Sequence, residues 1–395
     1  MQESEVRELL TAEGLRLLDE LPPYHAGADV VRLSTRLRAE GHSPSLVAAV
    51  LTQARLREKA EAKFGPFAGR MLFTQAGLEQ ATRLAVAARH AARFREAGLT
   101  RVADLGCGIG GDAMAMAALD LEVHAVDIDE VTAAIAAYNL APFPAAAVSV
   151  GAAEEVDLSA VDGVFLDPAR RTAGHESTSR VTADQFSPSL DFAFGIADRL
   201  PTGIKLGPAF DREEIPTGFE AQWVTIDGET VELALWSGAL ARPLVRRSAL
   251  VIAGQHTTEL AAPADSEDPE LRGLERYLHE PAGAVIRARL IGDLAGRLDA
   301  GIVSDRIAYL TGATPSTSPL AISFEIFLEL PIDQKVIARE LRAREIGRLE
   351  IKKRGVDIDP AAFRTRLNLK GAGEATLFLT RIAGKRTALL ARRVS

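Results

Sequence analysis

VADLGCGIGGD, residues 102–112, is the stretch whose reading decides the fold. An apolar run ends at Asp104. Glycines follow at 106, 108, 110 and 111, and DAMAMAAL then carries helical spacing. A strand that turns into a helix through glycines lets the backbone approach a ligand closely. The spelling fits two patterns. G-x-G-x-x-G runs through Gly106, Gly108 and Gly111, and D-x-G-x-G-x-G runs through Asp104, Gly106, Gly108 and Gly110.

Working outward, residues 100–240 alternate short apolar runs with helical stretches. EVHAVDID, GVFLDPA and TGIKLG read as further strands, and EVTAAIAAYNL reads as a helix between the first two. That alternation predicts a parallel sheet with helices on both faces. AQWVTI and TVELALW flank Asp227-Gly228, a favoured two-residue turn, and predict an antiparallel hairpin. Residues 1–95 read as helices, with segments near Ser45–Phe64 and Gly77–Ala97. AAPADSEDPE, residues 261–270, has linker composition. AISFEIFLEL, RLEIKKRG, EATLFLTRIA and RTALLARRV are strand candidates of a C-terminal α+β unit. The expected division is a helical region over 1–95, an α/β domain over 96–242, a connecting α+β region over 243–320 and a basic domain over 321–395.

The two spellings imply different cofactors. A dinucleotide sets an anionic pyrophosphate at the helix N-terminus, where Asp112 would repel it. S-adenosylmethionine brings an ammonium, a carboxylate and a sulfonium, and Asp104 is placed to accept from the ammonium. The charge argument favours S-adenosylmethionine, and the loop alone leaves the dinucleotide open. Asp127 ends the second strand, where a carboxylate takes both ribose hydroxyls of either cofactor. Ile128 beside it is a further cofactor contact, and Asp129 is expected to cap the next helix. After the third strand Ala152 stands where many methyltransferases set an acid against the adenine amine, so Glu154 is a candidate substitute. The hairpin is expected of a methyltransferase sheet and not of a dehydrogenase.

Asp167-Pro168-Ala169-Arg170 ends a strongly apolar strand. There a carboxylate and a fixed carbonyl can accept from an amine and hold its lone pair toward a methyl donor. Asp167 and Pro168 are the catalytic candidates, with positioning supplying much of the rate. The polar loop after them, with His175, is a candidate lid over the substrate. No Ser-His-Asp set, metal-ligand cluster or phosphate loop stands out, so no metal is expected.

The net charge of -8 is unevenly spread. Residues 331–395 hold 16 Lys and Arg against 7 Asp and Glu, and the remainder holds 30 against 47. Such a basic end on an acidic body draws polyanions. The single cysteine, Cys107, excludes an intramolecular disulfide and a cysteine-rich zinc site. The sequence has no spanning apolar run and no signal-peptide pattern, and a cytoplasmic location is expected.

DLGCGIGGDAMAMA, AVDID and FLDPARR together resemble the class I S-adenosylmethionine-dependent methyltransferases, a Rossmann-like α/β fold. Within them they resemble the trimethylguanosine synthase-like RNA methylases. The chain departs from that branch at Ala169-Arg170, where the branch carries Pro-aromatic and the ring stacks on the base. MLFTQAGLEQATR, GIKLGPAFD, YLHEPAGAVIRARL, AYLTG and LEIKKRGVDIDP extend the likeness over roughly residues 50–395. They are similar to bacterial methyltransferases with a C-terminal THUMP-like domain.

The resemblance implies that Asp104, Gly106 and Gly108 meet the methionine part of the cofactor, with Gly110 completing the loop. It implies that Asp127 holds the ribose, that Asp167 and Pro168 face the acceptor nitrogen, and that Thr74 and Gln75 close over the site. THUMP domains help RNA-modifying enzymes hold tRNA. Lys352, Lys353, Arg354, Arg364 and Arg366, with Lys370, would then contact phosphates. The expected function is methylation of tRNA or rRNA at a base nitrogen. The alternatives are a methyltransferase of small molecules or proteins, and a non-catalytic RNA- or S-adenosylmethionine-binding protein.

Overall fold

The computed structural model describes residues 3–22, 24, 28–170 and 186–394. The chain divides into two compact units, residues 1–206 with 235–241 and residues 207–234 with 242–395.

The first unit opens with four helices, α1 (Glu3–Leu9), α2 (Ala12–Asp19), α3 (Ala28–Ala39) and α4 (Pro44–Phe64). Ser43 caps α4 by accepting from the Leu46 amide at 3.1 Å, and Pro44 takes the first turn, where a missing N–H costs nothing. The helix expected over Gly77–Ala97 is two helices, α5 (Gln75–Gln80) and α6 (Leu84–Glu96). The break has a cause. Lys63 donates to the carbonyls of Leu78, Glu79 and Ala81 at 2.7–2.8 Å, which ends α5. Thr82 turns inward and is buried.

Between these helices and the sheet lies a buried extended segment, Met71 to Phe73, with no ladder to join. Two buried amides take its backbone groups. Gln53 donates to the Phe73 carbonyl at 2.7 Å and accepts from the Phe73 amide at 3.0 Å. Asn139 does the same for Leu72 at 3.0 and 2.8 Å. Without them, orphaned backbone groups would make burial unfavourable.

The sheet of the first unit contains β1 (Arg101–Leu105), β2 (Glu122–Asp127), β3 (Ala146–Val150), β4 (Gly163–Leu166) and β5 (Thr202–Leu206). Their order is β5-β4-β1-β2-β3, and each neighbouring pair is parallel. The strands read as continuous apolar runs because both faces are covered. Helices α7 (Gly111–Ala117), α8 (Glu130–Leu140) and α9 (Leu190–Ala197) follow β1, β2 and β4 in the chain. Asp129 caps α8 by accepting from the Thr132 amide at 2.8 Å. On one face His90 and Phe94 of α6 pack on Phe165, at ring distances of 5.2 and 6.3 Å.

In the second unit β6 (Glu220–Ile226) and the start of β7 (Glu229–Trp236) form the expected hairpin. Asp227 and Gly228 both take positive φ, 50° and 87°, as a tight two-residue turn requires. The last residues of β7 belong to the first unit and run beside β5, where the Ser237 amide donates to Thr202 at 2.9 Å. The ladder continues past the hairpin. β8 (Arg247–Ala253) lies parallel to β6, and β9 (His256–Ala262) returns antiparallel to β8. Both strands fall within the region expected to be connecting.

A seven-stranded sheet completes the second unit. It contains β10 (Tyr277–Pro281), β11 (Gly301–Ile302), β12 (Leu310–Gly312), β13 (Ala321–Pro331), β14 (Ile346–Lys353), β15 (Gly373–Ile382) and β16 (Lys385–Val394). The order is β11-β12-β10-β13-β16-β15-β14, with only β14 and β15 parallel. Helices α10 (Gly283–Arg287) and α11 (Ile291–Leu298) lie between β10 and β11 in the chain. Leu377, Leu379 and Leu390 pack with Ile337 and Leu341 of α12 (Gln334–Ala343) and Phe363 of α13 (Pro360–Arg366). The alternate residues Phe378, Leu389 and Ala391 pack with Val303, Tyr309 and Phe324 on the other face. The apolar runs of β15 and β16 are therefore central strands buried on both sides.

Candidate active site

β1 carries Asp104 at its end, and the residue is 1% exposed. Its Oδ2 is buried and, among the described residues, has no hydrogen-bond partner. Burial first, then the charges of Asp112, Asp167 and Asp127, push its pKa well above the ordinary carboxylate range, and Lys205 opposes them. The loop then turns on Gly106, Gly108 and Gly110, at φ values of 82°, 56° and 82°. A Cβ on Gly106 would stand 3.3 Å from the Asp167 carbonyl oxygen, so the Asp-Pro turn lies directly against the loop.

Asp127, at the end of β2, fixes the loop from the other side. Its Oδ2 accepts from the Gly108 amide at 2.9 Å and its Oδ1 from the Asp129 amide at 3.0 Å. Partial burial raises its pKa against these two hydrogen bonds. Ile128, next in the chain, is 69% exposed, and Val150 at the end of β3 is 55% exposed. Asn139 holds the loop through a 2.9 Å hydrogen bond to the Ile109 carbonyl.

Asp112 is the first carboxylate of α7, yet it does not face outward from the helix start. It is buried, accepting from Thr82 Oγ1 at 2.7 Å and pairing with His90 Nδ1 at 2.8 Å. Burial pushes its pKa up, but His90, Lys205 and Thr82 outweigh burial and bring it below the ordinary value. The repulsion expected from Asp112 therefore acts through a buried charge rather than through an exposed one.

Asp167 follows β4 and is half-buried, and Pro168 is buried. The Asp167 Oδ2 forms an ion pair with Lys205 Nζ from β5. Lys205 also donates to Thr82 Oγ1 at 3.1 Å and reaches the Gln80 carbonyl at 3.5 Å. His90 belongs to no motif that the sequence spells out, whereas Lys205 lies within GIKLGPAFD and Thr82 within MLFTQAGLEQATR, neither of which marks these residues. A lone lysine in an apolar strand is the one signal that could have found them, because such a residue needs buried partners.

Comparisons with known proteins give the family. The chain is 33% identical over 357 residues to an uncharacterized S-adenosylmethionine-dependent methyltransferase of Mycobacterium tuberculosis, found in two strains. The match covers 88% of this chain and 95% of the relative. The chain belongs to the S-adenosylmethionine-dependent methyltransferases. Its fold matches the crystal structure of a Porphyromonas gingivalis W83 protein assigned as a methyltransferase. The TM-score is 0.72 at 18% identity, covering 94% of this chain and 100% of that one. Residues 321–393 match the THUMP domain-like family, and residues 3–60 match a domain of unknown function, DUF8688.

The methyltransferase uses S-adenosylmethionine, and the residues fit it. A buried carboxylate oxygen without a partner among the described residues, at Asp104, suits an ammonium group, and the surrounding acids suit a cation. The remaining candidates are dispersed. Glu154 is exposed on a single turn, Ala153–Glu155. Thr74 caps α5, accepting from the Gly77 amide at 2.8 Å, and Gly77 lies against Ile109 of the loop. Gln75 is exposed. The polar loop with His175 lies outside the described residues. Among the described residues no helix is long and apolar enough to cross a membrane.

In the methyltransferase's second unit the basic candidates separate into two groups. Lys352 pairs with Glu280 at 2.6 Å and lies 5.6 Å from the Phe324 ring. Arg354 donates to the Ala308 carbonyl and stacks 4.5 Å from the Tyr309 ring. Arg364 is exposed yet donates to the Leu349 carbonyl. Lys353, Arg366 and Lys370 are exposed, as are Arg386, Arg392 and Arg393 of β16.

Proposed function

We propose that this methyltransferase modifies RNA, at a base nitrogen of tRNA or rRNA. The observation that carries the reading is the match of residues 321–393 to the THUMP domain-like family, in a segment rich in exposed cations. RNA held through its phosphates explains why a basic end accompanies an acidic catalytic unit.

In this reading Asp104 accepts from the cofactor ammonium and Asp127 accepts from the ribose hydroxyls. Ile128 lies against the adenine, while Gly106 and Gly108 leave room for the methionine part. Bound S-adenosylmethionine supplies a methyl group on an electron-poor sulfur. Asp167, with the carbonyl fixed by Pro168, accepts N–H bonds from the acceptor base and orients its lone pair. Orientation of this kind contributes through proximity rather than through a strong base. Lys353 and Arg366 contact phosphates, and Lys352, Arg354 and Arg364 brace the surface that presents them.

Mass spectrometry of nucleosides from RNA of wild-type and deletion cells tests the proposal. One methylated base nucleoside should be absent from the deletion and restored by the wild-type gene but not by D167A. Identical nucleoside profiles in tRNA and rRNA would refute it.

A further inference from the structure

Five side chains drawn from five elements or turns form a continuous chain beside the cofactor loop. Asp167 pairs with Lys205, Lys205 with Thr82, Thr82 with Asp112, and Asp112 with His90. The direction of its hydrogen bonds follows from donor inventory. Lysine has only donors, so Thr82 Oγ1 accepts from Lys205 and sends its own proton to Asp112. The Gln80 carbonyl is a further acceptor for Lys205. The ammonium is thus held at a fixed point by residues just ahead of α6 and points at the carboxylate that ends β4.

We propose that Lys205 is a positioning residue of the methyl transfer, holding the Asp167 carboxylate in place as a hydrogen-bond acceptor for the nucleophile. This rests on Asp167 orienting the acceptor nitrogen, as in the proposed function. The surrounding charges explain the need for a cation. Lys205 of β5 pairs with Asp167, whose charge acts on Asp104 of β1 together with those of Asp112 and Asp127, and Lys205 and His90 act on Asp112. Asp104 shows what such surroundings do, since burial and three neighbouring carboxylates all favour its protonated form. A protonated Asp167 would offer a donor where the nucleophile needs an acceptor. A lysine charge in contact with a carboxylate favours its ionised form, the form that accepts. Its brace by Thr82 and Gln80 fixes the direction in which Asp167 presents itself.

The test compares wild type, K205M, K205Q and K205R on two readouts. In protein labelled with carbon-13 at the aspartate carboxyls, the resonance missing from D167N is followed against pH. It should titrate higher in K205M and K205Q by about one pH unit or more, and close to wild type in K205R. Transfer of tritiated methyl from S-adenosylmethionine to bulk RNA of cells lacking the gene gives the second readout. K205M should lower kcat about 100-fold and move the acidic limb of the pH profile upward, with KM for the cofactor within about threefold. K205R should recover a large part of kcat. An Asp167 titration unchanged in both neutral variants overturns the assignment, as does a loss of cofactor affinity that matches the loss of kcat. If wild type transfers nothing to RNA, the substrate reading fails, and the titration still decides the role of Lys205.

Discussion

Asn139 and Leu72 form a two-way amide pair, with Asn139 donating to the Leu72 carbonyl at 3.0 Å and accepting from its amide at 2.8 Å. The second N–H of Asn139 reaches the Ile109 carbonyl, so one side chain ties the buried segment before β1 to the glycine loop. Replacing Asn139 with leucine leaves three buried backbone groups without these partners. At about 1–3 kcal/mol for each such group, the expected loss is about 3 kcal/mol or more. Urea unfolding of N139L should show this loss, and cofactor affinity should fall with it because Ile109 is released. A variant as stable as wild type would show that water replaces the amide.

Asp104 makes a pH prediction for cofactor binding. Its raised pKa means that the free protein holds a proton there above the pH at which an ordinary carboxylate loses it. If Asp104 takes the cofactor ammonium, as proposed, it must be ionised in the complex, so binding expels the proton. Affinity for S-adenosylmethionine should therefore rise with pH until Asp104 is ionised in the free protein, and fall as pH drops through its raised pKa. Calorimetry in buffers of different ionisation enthalpy should detect proton release. In D104N the release should vanish and affinity should fall about tenfold or more. Proton uptake in wild type would contradict the assignment.

In the second unit Arg242 joins two carboxylates, Glu220 at 2.7 Å and Glu259 at 2.7 Å. Burial alone would raise the pKa of Glu259, but Arg242 and Ser248 hold it at about 2. A carboxylate with a depressed folded pKa contributes stability above its ordinary value, and that stability is lost as pH falls through the folded one. Acid unfolding of the wild type should therefore draw on Glu259 between about pH 4.5 and 2. R242M removes the guanidinium from fully buried Glu220, an expected cost of about 3–5 kcal/mol at neutral pH. Its melting temperature should fall sharply at pH 7 and converge on wild type near pH 2. A parallel offset at both pH values would mean that the network is not the source of the stability.

The sequence exposes what lies at strand ends. Asp104, Asp127 and Asp167 each close an apolar run, and their glycine and proline neighbours make the loop readable. Asp227-Gly228 is legible for the same reason, because a local conformation dictates a local spelling. The partners of these residues come from far along the chain and carry no local signature. Lys205 meets Thr82 across 123 residues, and Asn139 meets Leu72 across 67. Gln53 and Asn139 look like ordinary polar residues of helices until the segment between them is known to be buried. Nothing in the hairpin turn announces the two strands beyond it, since pairing of β8 with β6 depends on a crossover and not on a turn signal. Charge counting has the same limit. Lys352 adds to the basic total, yet its charge faces Glu280, 72 residues earlier.

That limit separates the basic residues by experiment. Lys353 and Arg366 are exposed, whereas Lys352 is engaged by Glu280 and Phe324. If the THUMP-like region holds RNA through phosphates, K353E/R366E should weaken binding of bulk tRNA by about tenfold or more at moderate salt. It should also flatten the dependence of log affinity on log salt by roughly 0.7 for each phosphate no longer neutralised. The double variant should melt at the wild-type temperature, because exposed charges contribute little to stability. K352M should do the reverse, lowering the melting temperature through the loss of its Glu280 partner while leaving the salt slope nearly unchanged. Filter binding across a salt series, read beside thermal melts of the same proteins, distinguishes the two classes. A salt slope that does not respond to K353E/R366E would remove these two residues from the RNA interface.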